Sequence, residues 1–249
     1  MEILLQRKGL CPQPAAAQVR RCAAPDLTAM LTLQDRVRAA MPRPELFLPN
    51  TAADLARDLQ NSLCIGVWVE ADLVAYGILR YCGADPHNYA ASLDIPVSDW
   101  PYWANVDTVV VAPDWRGNGL QRQLVTWMAQ QRRPDIIGFG CTVSPDNTYS
   151  LNNMRAAGFV IGAQRIMYGC HDRYVLSRQL PPLPGEYRHF KGRHYRVEGL
   201  ATHSETGEPM VVYRQLYGAS GLWVRPAAMW AEHVERDGYA GPRFVYIGP

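Results

Sequence analysis

The chain has 249 residues, of which 48% are apolar and 19% are charged, and its formal net charge is +2. This length and composition suit one large domain, or one large and one small domain, with a buried core, and they exclude a disordered chain. The near-neutral charge disfavours nucleic acid as a main partner, because DNA-binding domains usually carry a marked basic excess.

The sequence indicates neither a membrane segment nor a leader. No stretch approaches the ~20 apolar residues of a membrane span, and the apolar run at residues 3–5 is too short for a signal peptide. The cysteines are irregularly spaced and form no Cys-x-x-Cys pair, which predicts reduced, mostly buried thiols and no zinc site. We therefore expect a cytoplasmic protein without a metal. The six cysteines are Cys11, Cys22, Cys64, Cys82, Cys141 and Cys170.

Apolar periodicity and the cap and turn residues predict alternating helices and strands over the first two thirds of the chain. A lead-in is predicted at residues 1–17, with a loose Pro- and Ala-rich segment from Gly9 to Ala17. There follow a strand at 19–22, helices at 25–40 and 51–59, strands at 64–70, 73–81 and 105–112, a helix at 120–132, a strand at 135–143, a helix at 145–157 and strands at 159–168 and 173–178. Thr51 with Asp54 predicts a capping box, and Gly158 predicts a helix end.

The chain changes character after the proline-rich segment 180–184, which predicts a short, stiff linker. Beyond it, the sequence predicts strands at 187–190, 194–201, 210–216 and 222–225, and a helix at 227–236 that begins after Pro226. The predicted organisation is a lead-in at 1–17, an α/β domain at 18–179, a linker at 180–184 and a small β-rich domain with one helix at 185–249.

The segment Val109–Leu120 has the pattern of a strand, a glycine turn and the start of a helix. Glycines allow backbone N–H groups to converge without an obstructing Cβ, and a helix N-terminus adds a positive dipole end. Arg116 can add charge-assisted hydrogen bonds. The pattern predicts a nest for a pyrophosphate, with an ordinary tight turn as the alternative, and it matches neither a Walker loop nor a dinucleotide-binding glycine motif.

Within this segment, Val-x-Pro-x-x-Arg-Gly-x-Gly-Leu resembles the coenzyme A pyrophosphate signature of the GNAT superfamily of N-acetyltransferases. Arg116 and Gly119 fit the family pattern Arg/Gln-x-x-Gly-x-Gly/Ala, whereas Gln121 stands where Gly or Ala is usual. The resemblance implies acetyl-CoA as co-substrate and a mixed, mostly antiparallel sheet flanked by helices. It implies that the cofactor contacts Val109, Val110, Val111, Arg116, Gly117, Asn118, Gly119, Leu120 and Gln121.

A second segment, Val143–Ser150 followed by Gly158-Phe159, resembles the second motif of the same family. The resemblance implies that Asn147 and Ser150 contact the pantetheine arm or a phosphate. For Asn147, a role as a helix N-cap is the alternative, and the two roles are compatible. The two motifs and the order of elements extend the resemblance over roughly 160 residues, about 19–179.

The catalytic groups depart from the family pattern at one position. Met154 stands where many GNAT members have the tyrosine that protonates the leaving thiolate, and a thioether cannot donate a proton. Tyr149 is our candidate acid, with Tyr168 and Tyr174 as alternatives. Asp107 matches a position often held by Glu and is our candidate base, although its ordinary pKa of ~3.9 requires desolvation or a water relay. The alternatives are Glu70, or a direct attack in which a backbone N–H, such as that of Val110, stabilises the oxyanion.

Two further regions carry weaker signals. The long loop Gly83–Tyr102 and Trp103 predict an acceptor pocket, with structural packing as the alternative. The pocket residues would be His87, Tyr89, Asp94, Trp100, Tyr102 and Trp103. Residues 185–244 resemble a small bacterial domain family of unknown function. Their aromatic and basic residues could bind an anionic ligand or a single nucleic-acid strand, or could simply form a solvated strand face. These residues are Tyr187, Arg188, His189, Lys191, Arg193, His194 and Arg196.

Together these signals predict an N-acetyltransferase that transfers an acetyl group from acetyl-CoA to a primary amine on a small molecule or protein. The C-terminal module would recognise the substrate or a partner, and a homodimer is compatible with the sequence. The alternative is an acyl-CoA sensor with little catalysis, which the missing tyrosine at Met154 favours. His189, His194 and His203 have no carboxylate or cysteine spacing that would indicate a metal.

Overall fold

The computed structural model describes residues 1–9 and 13–249, which form two compact units. The first unit comprises residues 1–81, 105–132 and 141–176, and the second comprises residues 82–104, 133–140 and 177–249. The boundaries of these two units differ from the predicted domain boundaries. The division into 18–179 and 185–249 therefore stays a prediction from the sequence. The predictions for residues 10–12, including a reduced Cys11, lie outside the described residues.

The described residues alternate between strands and helices as far as α4 and are mostly β-structure after it. In chain order the elements are β1 (Glu2–Gln6), β2 (Pro14–Arg21), α1 (Leu27–Ala39), α2 (Ala52–Asn61), β3 (Leu63–Val69), β4 (Asp72–Arg80), β5 (Trp103–Val111), α3 (Leu120–Gln131), β6 (Gly138–Val143), α4 (Thr148–Ala156), β7 (Val160–Met167), β8 (His171–Gln179), β9 (Gly185–His189), β10 (His194–Thr202), β11 (Pro209–Gln215), β12 (Leu222–Pro226), α5 (Ala227–Trp230), β13 (His233–Arg236), β14 (Tyr239–Pro242) and β15 (Phe244–Gly248). Short 3₁₀ turns precede α1, β5 and α3.

The larger sheet has eight strands in the order β1-β2-β3-β4-β5-β6-β8-β7, and each pair of neighbours from β1 to β5 is antiparallel. β3 and β4 are buried over most of their length on both faces, which explains why their sequences are nearly continuous apolar runs. Helices α1 and α3 pack against β4. Gly77 in β4 allows this approach, because a Cβ there would lie 3.2 Å from Met128 Cε in α3. The predicted α/β class with a mostly antiparallel sheet is confirmed.

In the second unit, β12-β11-β10-β9-β15 form a five-stranded sheet, and β13 and β14 form a separate hairpin. One face of the five-stranded sheet carries an aromatic core in which the Trp230 ring stacks on Phe244 at 3.9 Å between centroids. Tyr187 and Tyr213 meet the same indole edge to face, at 5.3 and 5.1 Å. In a small unit of this kind, such large rings supply most of the apolar surface that is buried on folding.

Two cap predictions are confirmed. The Thr51 side chain accepts a hydrogen bond from the Asp54 N–H, and the Asp54 carboxylate accepts one from the Thr51 N–H, which is a capping box at the start of α2. Gly158 has a φ of +86° after α4, and its N–H donates to the carbonyl of Arg155. This left-handed residue ends the helix, as the sequence predicts.

Two boundary predictions were wrong. Residues 14–17, predicted as loose lead-in, belong to β2, because β1 supplies an antiparallel partner for them. The helix predicted at 227–236 ends at Trp230, and residues 233–236 instead form β13. The reason is the turn at Asp237-Gly238, where φ is +54° and +79°, which pairs β13 with β14 as a two-residue hairpin.

The described cysteines include three buried free thiols, at Cys22, Cys64 and Cys141, as the sequence predicts. Burial raises the pKa of the Cys22 and Cys64 thiols to about 12, so both stay protonated and unreactive near neutral pH. None of the described helices has both the length and the apolar character that crossing a membrane would require.

Candidate functional site

The glycine loop between β5 and α3 has the backbone of an anion nest. Gly117 and Gly119 have φ of +97° and +69°, and Gly119 is the N-cap of α3. No group in the described part of the chain accepts a hydrogen bond from the N–H groups of residues 117–119. A Cβ at Gly117 would meet only Lys8 Cε, at 3.7 Å, so the space beside the loop is open. The loop therefore offers free N–H groups at the positive end of a helix dipole.

The loop borders a cleft of about 390 Å³ that lies wholly within the first unit. Ten of the eleven predicted cofactor residues line it, so residues of both family motifs line one cavity. The lining residues are Val37, Met41, Pro42, Arg43, Leu46, Phe47, Val109, Val110, Val111, Trp115, Arg116, Gly117, Gly119, Leu120, Gln121, Asp146, Asn147, Thr148, Tyr149, Ser150 and Asn153. Arg116 has no ion-pair partner among the described residues, so its charge is available to a bound anion.

Asn118 is the predicted cofactor residue that does not line the cleft. Its side-chain amide exchanges two hydrogen bonds with the backbone of Gln6 in β1, both at 2.8 Å, and also donates to the Trp115 carbonyl. The Lys8 N–H donates to the carbonyl of Asp114 at 2.7 Å. The N-terminal strand thus supports the outer side of the loop, and the Asn118 side chain is used for that support.

The start of α4 also lines the cleft. The Asn147 side chain accepts a hydrogen bond from the Ser150 N–H at 3.0 Å, which confirms its role as N-cap. Gln121 Nε2 donates to Ser150 Oγ at 3.2 Å, so the residue that departs from the family pattern joins the first turns of α3 and α4. The Ser150 hydroxyl, predicted to contact the cofactor, already has an intramolecular partner in this arrangement.

The segment after α1 also lines the cleft, and the sequence did not predict this. Met41, Leu46 and Phe47 supply apolar surface, and Arg43 pairs with Glu45 at 2.8 Å and with Asp146 at 3.0 Å. The Arg43–Asp146 pair joins this segment to the second motif. The sequence signal was a proline-rich turn followed by consecutive apolar residues, which is too common to indicate a site.

Asp107 lies outside the cleft lining, in an ion-pair network. Arg80 donates to Asp107 Oδ1 at 2.7 Å and to both oxygens of Asp58 at 2.6 and 2.8 Å, and Thr108 Oγ1 donates to Asp107 Oδ2 at 3.1 Å. Burial raises the pKa of Asp107 above its ordinary value, the Arg80 charge opposes this, and the Asp58 carboxylate adds to it. The raised pKa of Asp107 suits a general base. Its carboxylate, however, is engaged in an ion pair with Arg80.

The candidate acids differ in where they lie. Tyr149 is 62% exposed and, among the described residues, is the one tyrosine in the cleft lining. Tyr168 hydrogen-bonds Thr142 Oγ1 at 2.9 Å, and neither Tyr168 nor Tyr174 lines the cleft. Met154 is 3% exposed, inside the core rather than at the cavity surface. Glu70 occupies the β3–β4 turn, with a φ of +53°, and does not line the cleft.

Comparison with known proteins identifies the architecture. The ribosomal-protein-S18-alanine N-acetyltransferase of Escherichia coli is similar over 68% of this chain and 96% of its own length, with a TM-score of 0.50 and 15% identity. YncA of Salmonella typhimurium, solved with its cofactor acetyl-CoA, is similar over 67% of this chain and 95% of its own, with a TM-score of 0.50 and 16% identity. The first two thirds of the chain has the GNAT fold. No curated protein matches the chain significantly.

The C-terminal part matches a different family. Residues 185–246 match the model of a protein family of unknown function, DUF1653. A DUF1653 protein from Bordetella bronchiseptica is 44% identical over 26% of this chain and 87% of its own, with a TM-score of 0.26. The chain therefore joins a GNAT-fold region to a DUF1653 segment, as the two resemblances predicted.

The loop between β4 and β5 of the GNAT-fold region does not contribute to the cleft. Its residues belong to the second unit, where Asn88 Nδ2 donates to the carbonyls of Gly83, Trp100 and Trp103. Trp103 is buried against Gly138, where a Cβ would lie only 2.6 Å from the indole. None of the predicted acceptor-pocket residues lines the cleft described here, so an acceptor pocket in this loop stays a prediction, and packing accounts for its buried aromatic residues. His87 pairs with Asp85 at 2.7 Å on the surface.

In the DUF1653 segment, strand alternation divides the predicted basic and aromatic residues between two faces. Tyr187 is 3% exposed and belongs to the core. On the opposite face, the Glu186 carboxylate lies 2.9 Å from His194 Nδ1 and 3.8 Å from the Arg196 guanidinium, so both side chains already have a partner within the protein. The described residues contain no group of three side chains that could hold a metal ion.

Proposed function

We propose that the chain is an acyl-CoA-dependent N-acetyltransferase that acts on a primary amine of a small molecule or protein. The observation that carries this proposal is the glycine loop, where the free N–H groups of Gly117 and Gly119 and the unpaired Arg116 side chain border a 390 Å³ cleft within a GNAT fold. Two similar proteins support it. One is named for acetylation of an alanine of ribosomal protein S18, and the other was solved with acetyl-CoA.

The residues of the cleft fit the donor that the fold implies. In the proposal, the N–H groups of Gly117 and Gly119 and the Arg116 guanidinium hold the pyrophosphate, because they combine a nest with an uncompensated cation. Residues 109–111, at the end of β5, and Asn147, at the start of α4, hold the pantetheine arm between them. Bound acetyl-CoA supplies an acetyl thioester that a neutral amine can attack directly.

Proton transfer in this reaction needs a base for the amine and an acid for the leaving thiolate. We assign the base to Asp107, whose pKa burial raises towards the useful range, and the acid to Tyr149, which borders the cleft. The second candidate function, an acyl-CoA sensor with little catalysis, is favoured by two observations. Asp107 is held by Arg80, and the position of the usual tyrosine is a buried Met154. Turnover with any amine separates the enzyme from the sensor.

The first experiment is a calorimetric titration of the full chain with acetyl-CoA and with CoA, together with thermal unfolding. A ligand at ~100 times its dissociation constant should add ~2.7 kcal/mol of stability. Clear binding without turnover of any amine would favour the sensor, and absence of binding would contradict both functions.

Replacing Gly117 by alanine tests the nest. The variant should bind CoA at least about tenfold more weakly, because a side chain at a φ of +97° forces the loop to relax and turns its N–H groups away from the ligand. Gly169→Ala is the matched control, since Gly169 has a φ of +89° and open space around it, also in the first unit. Both variants should lose about 1–3 kcal/mol of stability, and only Gly117→Ala should lose affinity. Unchanged affinity in folded Gly117→Ala protein would remove the loop from the proposed site.

A further inference from the structure

A second candidate site lies in the DUF1653 segment, at the end of the aromatic core. The imidazole of His189 is surrounded by three rings, those of Phe190 at 4.4 Å, Phe244 at 4.8 Å and Tyr195 at 6.1 Å between centroids. The Lys191 N–H donates to His189 Nδ1 at 3.3 Å, so in the neutral ring Nε2 carries the hydrogen and can donate. The imidazole is half-buried, so one side of this aromatic cluster remains open to solvent.

Three cations lie over the same rings. The Arg225 guanidinium is 5.6 Å from the Phe244 centroid, and Lys191 Nζ and the Arg243 guanidinium are 5.7 and 5.9 Å from the Phe190 centroid. Burial and these three positive charges lower the pKa of His189 to about 4. The aromatic faces stabilise the cations only in part, because an exposed cation–π contact is worth about 0.5–1 kcal/mol.

The charges of this cluster are incompletely compensated within the protein. Arg243 pairs with Glu232 at 2.7 Å. Neither Arg225 nor Lys191 has an ion-pair partner in the part of the chain that the structure describes. Arg225 is half-buried, so its lack of a carboxylate partner costs more than it would on an open surface.

A buried polar atom in the same core also lacks a partner. Trp230 is 1% exposed, and its Nε1–H has no hydrogen-bond acceptor among the described residues, although its ring stacks on Phe244. A buried donor without an acceptor costs about 1–3 kcal/mol. Apart from this buried donor, the half-buried aromatic cluster and the uncompensated guanidinium and ammonium beside it suit an anion with a flat apolar part.

We propose that Arg225, Lys191 and the Nε2–H of His189 bind the oxyanion of a phosphate monoester, with the half-buried Phe190 ring beside its organic group. A phosphate accepts several charge-assisted hydrogen bonds at once, and the planar guanidinium of Arg225 can bind two of its oxygens. This site shares no residue with the cleft of the first unit, because all its residues belong to the second unit.

The test follows the His189 imidazole by NMR in the full chain, during titration with inorganic phosphate at constant ionic strength set by chloride. A local readout is required because the glycine loop can also bind phosphate. Comparison with His189→Gln assigns the signal among the six histidines. Phosphate should shift the His189 resonance saturably and raise its pKa by about one unit, because an anion among the cations favours the imidazolium. Phenyl phosphate should bind more tightly than inorganic phosphate.

Arg225→Gln should weaken phosphate binding about tenfold, since it removes a charged hydrogen-bonding partner. Arg196→Gln is the matched control, because it removes the same charge from the opposite face of the sheet and should leave the affinity nearly unchanged. Equal weakening by both variants would indicate diffuse attraction and overturn the proposal. A His189 resonance that phosphate leaves unmoved in the unmodified protein would overturn it without any variant.

Discussion

Replacement of Arg80 by methionine should destabilise the first unit by about 3–5 kcal/mol. One guanidinium serves two carboxylates there, those of Asp58 and Asp107, with three hydrogen bonds between 2.6 and 2.8 Å. The side chains of Asp58 and Asp107 are 2% and 12% exposed, so water cannot replace the lost cation. Methionine keeps much of the apolar stem of arginine, and the loss therefore measures the charge and its bonds.

The magnitude follows from the geometry of the network. With both carboxylates ionised, Asp58, Asp107 and Arg80 together carry a net charge of −1, and replacing Arg80 by methionine makes it −2. Each hydrogen bond to a charged partner contributes about 1.5–3 kcal/mol. The sum is reduced because Asp107 keeps the Thr108 hydroxyl and because an unpaired buried carboxylate can take up a proton. This second effect predicts that the difference between the variant and the original protein shrinks as the pH falls, since protonation removes the uncompensated charges.

Urea unfolding of the full chain measures the loss when it is monitored through a signal from the first unit. The comparison requires that the m-value, the slope of the unfolding free energy against urea concentration, is the same in both proteins. Arg57→Met is the matched control in the neighbouring helix. Arg57 pairs with Asp54 at 2.7 Å, and the two side chains are 58% and 34% exposed, so this variant should cost under about 0.5 kcal/mol. A loss below about 1 kcal/mol for Arg80→Met, or one equal to that of the control, would refute the view that the network is a buried structural unit.

Two further predictions concern the proposed base, Asp107, and the cleft residue Gln121. Asp107→Asn should change stability by under about 1 kcal/mol, because an amide oxygen still accepts from Arg80 and the repulsion between Asp58 and Asp107 disappears. If Asp107 is the base, the steady-state rate of acetyl transfer should fall about 10²–10⁴-fold in this variant. A much smaller fall would mean that Asp107 has only a structural role, as the partner of Arg80. Gln121→Ala restores the usual family residue and releases Ser150, so it should tighten CoA binding in calorimetry. Weaker binding would mean that the Gln121 bridge shapes the cleft for the ligand.

The parts of the structure that could be predicted are those with short-range causes. The Thr51 cap, the Gly158 helix end and the glycine loop each depend on a few consecutive residues, and all three have the expected backbone. Residues of both motifs also line one cleft, which the resemblance to the GNAT superfamily implied. Local chemistry and a family pattern at fixed spacing therefore located the candidate donor site.

The parts that could not be predicted depend on partners distant in sequence. Asn118 fits the motif but bonds Gln6, which is 112 residues away, and nothing local indicates this choice. The partners of Arg80 lie 22 and 27 residues from it. The turn at 237–238 was a signal that local reasoning could have used, because Asp-Gly between two alternating segments indicates a hairpin more strongly than Pro226 indicates a long helix.

The arrangement around Asp107 bears on which amines suit the proposed reaction. If Arg80 keeps this carboxylate during turnover, the enzyme must rely on an amine that is already neutral in solution. At pH 7, an α-amino group with a pKa of ~7.7–8.0 is roughly 10–20% neutral, whereas a lysine side chain with a pKa of ~10.4 is under about 0.1% neutral. The concentration of reactive nucleophile then differs by a factor of a few hundred before any contact with the protein. An acceptor screen is therefore best begun with α-amino groups, and efficient acetylation of free lysine side chains would require a base that the resting geometry of Asp107 does not supply.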